Sequence, residues 1–415
     1  MSRTLLTVVA MLVFLCLAYA FSTNRRAISL RTVGAALGLQ VLLGALALYV
    51  PAGRAVLEAM SRTVASVIAY GQAGIDFVFG PIGGTDLGFV FAFQVLPIII
   101  FFSSLVAVLY HLGIMGWVIR VVGSALRAAL GTTPAESMSA TANVFVSQTE
   151  APLVIKPYIT SMSRSELFAV MVGGMATVAG SVLAGYVALG VELKYLLAAS
   201  FMAAPGGLLM AKMLVPEDAE PEGPTGSSVD APDVDLRFDE NVNVFDAAAS
   251  GAAKGLALAV NIGAMLLAFV GLIALVNGLL GWVGGLLGTD ALSLELLLGL
   301  LFRPLAFLLG VPWDEAAMAG NLIGQKLVLN EFVAFGSFFT DRAALDAHSQ
   351  AVVSFALCGF ANFSSIAIQI GGLGTLAPER RGLIAQLGLR AVLAGFLANL
   401  MSAAIAGFFL SLAAA

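Results

Sequence analysis

Two carboxylates stand where a carboxylate is out of place. Glu150 closes the segment Gln148-Thr149-Glu150-Ala151-Pro152, and Glu331 sits in Asn330-Glu331-Phe332-Val333-Ala334, both in apolar surroundings. Carboxylates accept paired hydrogen bonds from sugar-like hydroxyls, and the Gln148 amide can both donate and accept. Two further stretches are polar where apolar residues are expected, Gly173 to Ser181 with Thr177, and Cys358 to Ser365 with Phe360, Asn362 and Ser365. Glycine and serine in such stretches commonly serve helix packing, but Asn362 has an amide with several groups to satisfy. Together these residues suit a small, uncharged ligand rich in hydroxyls and amides with a flat apolar face. Asn143 lies seven residues before Glu150, about two helical turns. Its amide oxygen, the carbonyls ending that arm near Val146, and the hydroxyl and carbonyls at Thr177-Val178 compose an uncharged oxygen cage for a hard monovalent cation. A proton carried by Glu150 or Glu331 is the rival, and Asn143 and Thr177 acting only as interhelical hydrogen-bonding partners is the plainer alternative. General acid–base catalysis by the glutamates is a third chemistry. The chain's two histidines, His111 and His348, lie at neither glutamate, and no nucleophile–base or metal-ligand pair is evident. The residues read as a site that binds and carries, with no cofactor required.

The elements that must position them are membrane spans. Of 415 residues, 60% are hydrophobic and 11% charged, whereas soluble proteins carry about 25% charged residues. Between Pro216 and Asp246 ten acidic residues face one basic one, so this segment alone accounts for the net charge of −5 and leaves the remainder positive. The acidity therefore belongs to one linker rich in Pro, Gly and Ser, read as a flexible tether, and nothing in it points to nucleic acid. Asp233-Val234-Asp235 lacks the glycine and glutamate of a calcium loop. Cys16 and Cys358 both lie in apolar runs and imply no disulfide framework.

Apolar stretches of crossing length run near 4–22, 31–50, 86–110, 192–213, 249–283 and 382–413, and interrupted ones near 166–189 and 349–375, giving eight spans. Residues 55–80 are less apolar and read as a surface segment. The N-terminus imitates a secretory signal, but Arg25, Arg26 and Arg31 on its far side make it a retained first span. With alternating spans, Arg120, Arg127, Arg164, Lys212, Arg380 and Arg381 share the side of that cluster, which places both termini outside and the acidic linker in the cytoplasm.

The second half echoes the first. Leu130-Gly131-Thr132-Thr133-Pro134-Ala135-Glu136, Asn143 and Glu150 correspond to Leu309-Gly310-Val311-Pro312-Trp313-Asp314-Glu315, Asn321 and Glu331, at an offset of 181 residues at Glu150 and Glu331 and 182 at the interrupted spans. The arm Pro134 to Ser147 is about 21 Å of helix against a core of about 30 Å, too short to cross. Each glutamate then marks the tip of a re-entrant hairpin, with Pro152 opening the second arm of the first. Positive-inside counting opens the first hairpin inside and the second outside. The expected architecture is all-α and polytopic, with eight spans, two re-entrant hairpins and an inverted-topology repeat, whose ligand site lies near the midplane. Five parts follow: scaffold spans and an interfacial segment over 1–112, a first repeat over 113–213, the linker 214–248, a long scaffold span and surface segment over 249–293, and a second repeat over 294–415.

Gln148-Thr149-Glu150-Ala151-Pro152, Asn330-Glu331-Phe332-Val333-Ala334 and Cys358-Gly359-Phe360-Ala361-Asn362-Phe363-Ser364-Ser365 resemble the signature segments of the concentrative nucleoside transporters, and the resemblance runs from Ser22-Thr23-Asn24-Arg25-Arg26 to Gly407-Phe408-Phe409. It is closest in length to the short bacterial members. The resemblance implies a homotrimer in the inner membrane, with a moving transport domain of hairpins and interrupted spans in each subunit. It implies that Gln148, Thr149 and Glu150 recognise the nucleobase, that Val182 and Phe360 contact its apolar faces, and that Glu331, Asn362 and Ser365 bind ribose hydroxyls. It maps a sodium site to the side chains of Asn143 and Thr177 and the carbonyls of Val146 and Val178. Thr177 departs from the serine frequent in the family and keeps the hydroxyl. Proton-coupled nucleoside symport, and symport of another polar solute, remain open at this stage.

Overall fold

The computed structural model describes residues 2–84, 89–217, 241–286, 288 and 292–413, and the described residues are helical with no strand. Most of the acidic linker, Asp233-Val234-Asp235 included, lies outside them. The helices are α1 (Arg3–Ala20), α2 (Leu30–Leu48), α3 (Pro51–Phe79), α4 (Phe91–Gln94), α5 (Leu96–His111), α6 (Ile114–Leu130), α7 (Pro134–Ala142), α8 (Arg164–Ala176) and α9 (Gly180–Ala188). They continue with α10 (Leu193–Leu214), α11 (Val244–Leu286), α12 (Leu294–Leu308), α13 (Ala316–Val328), α14 (Glu331–Asp341), α15 (Ala347–Leu357), α16 (Ser364–Leu376) and α17 (Arg381–Ala413).

Eight helical segments among the described residues are long and apolar enough to cross a membrane. Residues 55–80, expected along the surface, fall almost entirely within one unbroken helix of 29 residues, the least hydropathic of the eight, with Pro51 at its first position. The stretch 349–375, expected to be interrupted, is two short helices, because the backbone leaves the helix at Cys358 (φ −73°, ψ 87°) and resumes it only at Ser364. The matching break in 166–189 comes at Thr177, in extended conformation (φ −101°, ψ 170°).

Burial separates two kinds of helix. In the segments Arg164–Ala188, Leu193–Leu214 and Pro378–Ala413, 89–94% of the apolar window is buried within the chain, against 11% in Pro51–Gly83 and Val244–Leu286. The first group is a core around which the hairpins fold, and the second presents its apolar side chains outward, as lipid-facing helices do. Helix α11 lies along α5, and α17 packs against α1, α8, α10 and α15.

The two repeats have the same order of parts: a helix, a hairpin, a broken helix, a long helix. At both hairpins the break touches the arm in the same way, with the Gly180 N–H donating to the Phe145 carbonyl (3.1 Å) and the Phe363 N–H to the Leu327 carbonyl (3.2 Å). Thr133 with Glu136 and Ser163 with Glu166 form capping boxes at the start of α7 and α8, and Asn330 and Asp346 cap α14 and α15. Lys212 on α10 meets Glu136 at 2.5 Å and so pins the base of the first hairpin.

The first hairpin is less regular than its length suggested. Its α-helix stops at Ala142 with Asn143 as the cap, turns carry the chain to Glu150, and Ala151–Tyr158 is a 3-10 helix holding Pro152 and Pro157. A proline inside an α-helix removes a hydrogen bond and clashes with the preceding turn, so this arm takes the tighter form in short pieces.

Candidate functional site

A cavity of about 410 Å³ opens between the hairpin tips, the breaks and α11. Gln148, Thr149, Val182, Glu331, Phe360, Asn362 and Ser365 all line it, so seven of the eight ligand residues expected from the sequence converge. Glu331 is the first residue of α14 and only 4% exposed. Its Oε1 accepts from the Tyr186 hydroxyl (3.3 Å) and its Oε2 from Asn362 Nδ2 (3.0 Å). Asn362 is fixed from the other end, since its Oδ1 accepts from the Ser364 hydroxyl (2.7 Å) and the Ser365 N–H (2.9 Å). That capping leaves Asn362 with its N–H groups toward Glu331 and settles the amide's orientation. Across the cavity, Gln148 Nε2 donates to the Ser365 hydroxyl (3.3 Å), and Gln369 Nε2 donates to Gln148 Oε1 (3.3 Å) and to the Met171 carbonyl (2.7 Å). Both repeats thus contribute polar groups to one wall, and Val182 and Phe360 supply apolar surface.

Glu150 is the exception. It does not line this cavity but a smaller one of about 110 Å³ beside it, shared with Tyr110 and Lys254. Its Oε2 accepts from the Ser147 N–H (3.2 Å) and hydroxyl (3.0 Å). The turn at Ser147 therefore holds this carboxylate, immediately before the 3-10 arm Ala151–Tyr158.

The four expected cation residues, Asn143, Val146, Thr177 and Val178, are all buried. Asn143 Nδ2 donates to the Ser139 carbonyl (2.9 Å), while its Oδ1 is a buried acceptor with no hydrogen-bond partner. The Thr177 hydroxyl donates to the Gly173 carbonyl (2.8 Å), which leaves its oxygen free to accept. Uncharged oxygens with an orphan among them fit a sodium ion, and no cluster of three His, Cys, Asp or Glu suited to a harder-to-satisfy metal occurs among the described residues. The Thr177 carbonyl accepts from the Phe360 N–H (3.1 Å), so the cation residues and the ligand residues share a backbone hydrogen bond.

Several participants were missed by sequence reasoning. Tyr186 is a fully buried aromatic whose hydroxyl role appears only once α9 faces α14. Gln369 sits in a glycine-rich apolar run and could have been flagged as an isolated amide. Lys326 is 0% exposed, and its Nζ donates to Asn399 Oδ1 (2.5 Å) and the Ala356 carbonyl (3.2 Å). Asn399 Nδ2 donates in turn to the carbonyls of Ala176 (2.6 Å) and Cys358 (3.0 Å).

Family models described as "Na+ dependent nucleoside transporter C-terminus", "Na+ dependent nucleoside transporter N-terminus" and "Nucleoside recognition" match residues 195–407, 9–82 and 92–192. The chain is 53% identical to the Helicobacter pylori nucleoside permease NupC over 99% of this chain and 98% of that one. The chain belongs to the concentrative nucleoside transporter family. Concentrative nucleoside transporters of mammals match as well, the pig sodium/nucleoside cotransporter 1 at 40% identity over 95% of this chain and 62% of its own length. Among solved structures of the family, CNTnw in an inward-facing substrate-bound state superposes with a TM-score of 0.94 at 53% identity, covering 100% of this chain and 99% of that one. A doubly substituted CNTnw in an outward-facing state gives 0.93, covering 99% and 98%. The protein is thus a multi-pass membrane protein of a transporter family, and an intramembrane enzyme is not the reading these relatives support.

Proposed function

We propose that this protein imports nucleosides by sodium symport across the bacterial inner membrane. The observation that carries the reading is the convergence of Glu331, Asn362, Ser365, Gln148, Thr149, Val182 and Phe360 on one cavity at the meeting of the two repeats. Glu331, Asn362 and Ser365 bind the ribose hydroxyls, Gln148 and Thr149 read the nucleobase edge, and Val182 and Phe360 pack on its faces. Glu150 joins the base end through water from its neighbouring cavity. A site built to hydrogen-bond hydroxyls rejects analogues lacking them, because its own buried groups are then left unpaired.

Sodium is the second substrate, held by the Asn143 and Thr177 side chains and the Val146 and Val178 carbonyls. Its binding orders the Thr177-Val178 break, and the bond from Phe360 to the Thr177 carbonyl passes that order to the ligand cavity. Hairpins, breaks and their packed long helices move as a transport domain past α11, in an elevator-like exchange of access, within a homotrimer whose termini face outside. Concentrative uptake of labelled uridine by proteoliposomes tests the reading: equilibration without accumulation under an inward sodium gradient would overturn symport, and no uridine entry at all would overturn the nucleoside assignment. Proton coupling is the second reading, supported by the burial of Glu331, a carboxylate with no ion pair among the described residues.

A further inference from the structure

The 410 Å³ cavity has a second wall that the recognised ligand residues do not include. Helix α11 contributes Leu258, Asn261, Ile262 and Met265 to it. Their spacing of three, four and seven residues puts them on one helical face. Three are the apolar residues expected there, and Asn261 is not. It is exposed, and no hydrogen bond joins its amide to another described residue. The other asparagine of this helix shows the usual resolution. Asn277 Nδ2 donates to both Glu295 oxygens (3.0 and 2.9 Å) and its Oδ1 accepts from the Leu294 N–H (2.8 Å). An amide at membrane depth without partners is costly, and polar residues there mark ligand pathways. For Asn261 the polar surroundings are those of the cavity. Helix α11 packs on α14, whose first residue is Glu331, and Asn261 lines the same cavity as Glu331 and Asn362.

We propose that Asn261 is a nucleoside-binding residue, whose amide hydrogen-bonds a ribose hydroxyl from the α11 side, opposite Glu331. The inference rests on the nucleoside reading above. A hydroxyl donates and accepts, and a primary amide answers either way. The consequence is an asymmetry. Glu331, Asn362 and Ser365 travel with the hairpins, while Asn261 stays on the outer helix. The added bond is made in one position of the transport domain and broken in the other, so affinity differs between the two faces of the membrane.

The test is calorimetric binding of uridine and of 2′-, 3′- and 5′-deoxyuridine to the purified protein in sodium, with wild type and Asn261→Ala. The expected result is a rise of about five- to tenfold in the uridine Kd, the size of one net hydrogen bond, with one deoxy analogue bound equally by both proteins. That analogue identifies the hydroxyl. Wild-type affinity of Asn261→Ala for all four ligands, or an equal loss for all four, would overturn the inference. If Asn261→Ala does not fold, Asn261→Leu, which suits an otherwise apolar face, is read by the same analogue pattern. A wild type that binds none of the four overturns the nucleoside reading itself, so the two failures are distinguishable.

Discussion

At Glu331 the protein has already aimed two donors, the Tyr186 hydroxyl and the Asn362 amide, one at each carboxylate oxygen. Asn362 cannot turn over, because its oxygen caps the start of α16 through Ser364 and Ser365. Glu331→Gln therefore either sets an NH2 group against the Asn362 amide or turns the Tyr186 hydroxyl from donor to acceptor, and it removes half the acceptor surface offered to a sugar. Accumulation of labelled uridine in proteoliposomes should fall to background while the protein still elutes as an intact assembly; full uptake by a well-expressed Glu331→Gln protein would show that the ribose end lies elsewhere. Gln148 is held by Ser365 and Gln369 with its amide along the cavity wall. Gln148→Ala should shift the preference among uridine, cytidine and adenosine more than it weakens binding of the shared sugar. Equal losses across the three, read in competition assays, would count against a base-reading role.

Between elements, the most economical device is Asn399. The two carbonyls that its amide bridges, Ala176 and Cys358, are 182 residues apart, the same offset that relates the interrupted spans in the sequence. One side chain on α17 thus ties equivalent points of the two broken helices, and Lys326 on the second hairpin holds that side chain from its oxygen. Gly359 is required beside it, since a Cβ there would run into the Asn399 amide. Asn399→Leu strands two buried carbonyls and leaves Lys326 with the Ala356 carbonyl alone, and each stranded group costs about 1–3 kcal/mol. Thermal unfolding in detergent should show a clear loss of stability for Asn399→Leu, and a smaller one for Gly359→Ala, which displaces the amide without deleting it. A melting curve unchanged by Asn399→Leu would mean that the breaks are held by other contacts.

For the whole molecule the coupling ion is read out by transport. The orphan oxygen of Asn143 and the Thr177 hydroxyl oxygen suit a bare cation rather than a proton, because neither group titrates at physiological pH. Uridine uptake measured at fixed pH should collapse when sodium is replaced by choline or potassium. Accumulation that persists without sodium and follows an imposed pH gradient would assign the coupling to a proton. Asn143→Leu, which removes the orphan oxygen at similar volume, should abolish the sodium dependence of uridine binding while leaving residual sodium-independent binding at the cavity.

Much of this was legible in the chain because hydropathy, breaks and motifs are local properties. The spans, the hairpins with a glutamate at each tip, and the 181–182-residue repeat follow from where charge and small polar residues interrupt apolar runs. Six of the seven ligand residues could be named because they lie within three short segments that also carry the family resemblance, and Val182 came from the resemblance alone. What a side chain faces is a property of packing. Glu150 and Glu331 occupy matching positions in sequence, yet only Glu331 reaches the main cavity, because Ser147 turns Glu150 aside. Tyr186 and Asn399 sit in helices whose composition reads as ordinary span, and their partners lie 145 residues away for Tyr186 and up to 223 for Asn399. No local pattern encodes such pairs; they exist only once two broken helices and two hairpins have closed on one another, when burying an unpaired polar group becomes too costly to leave unanswered.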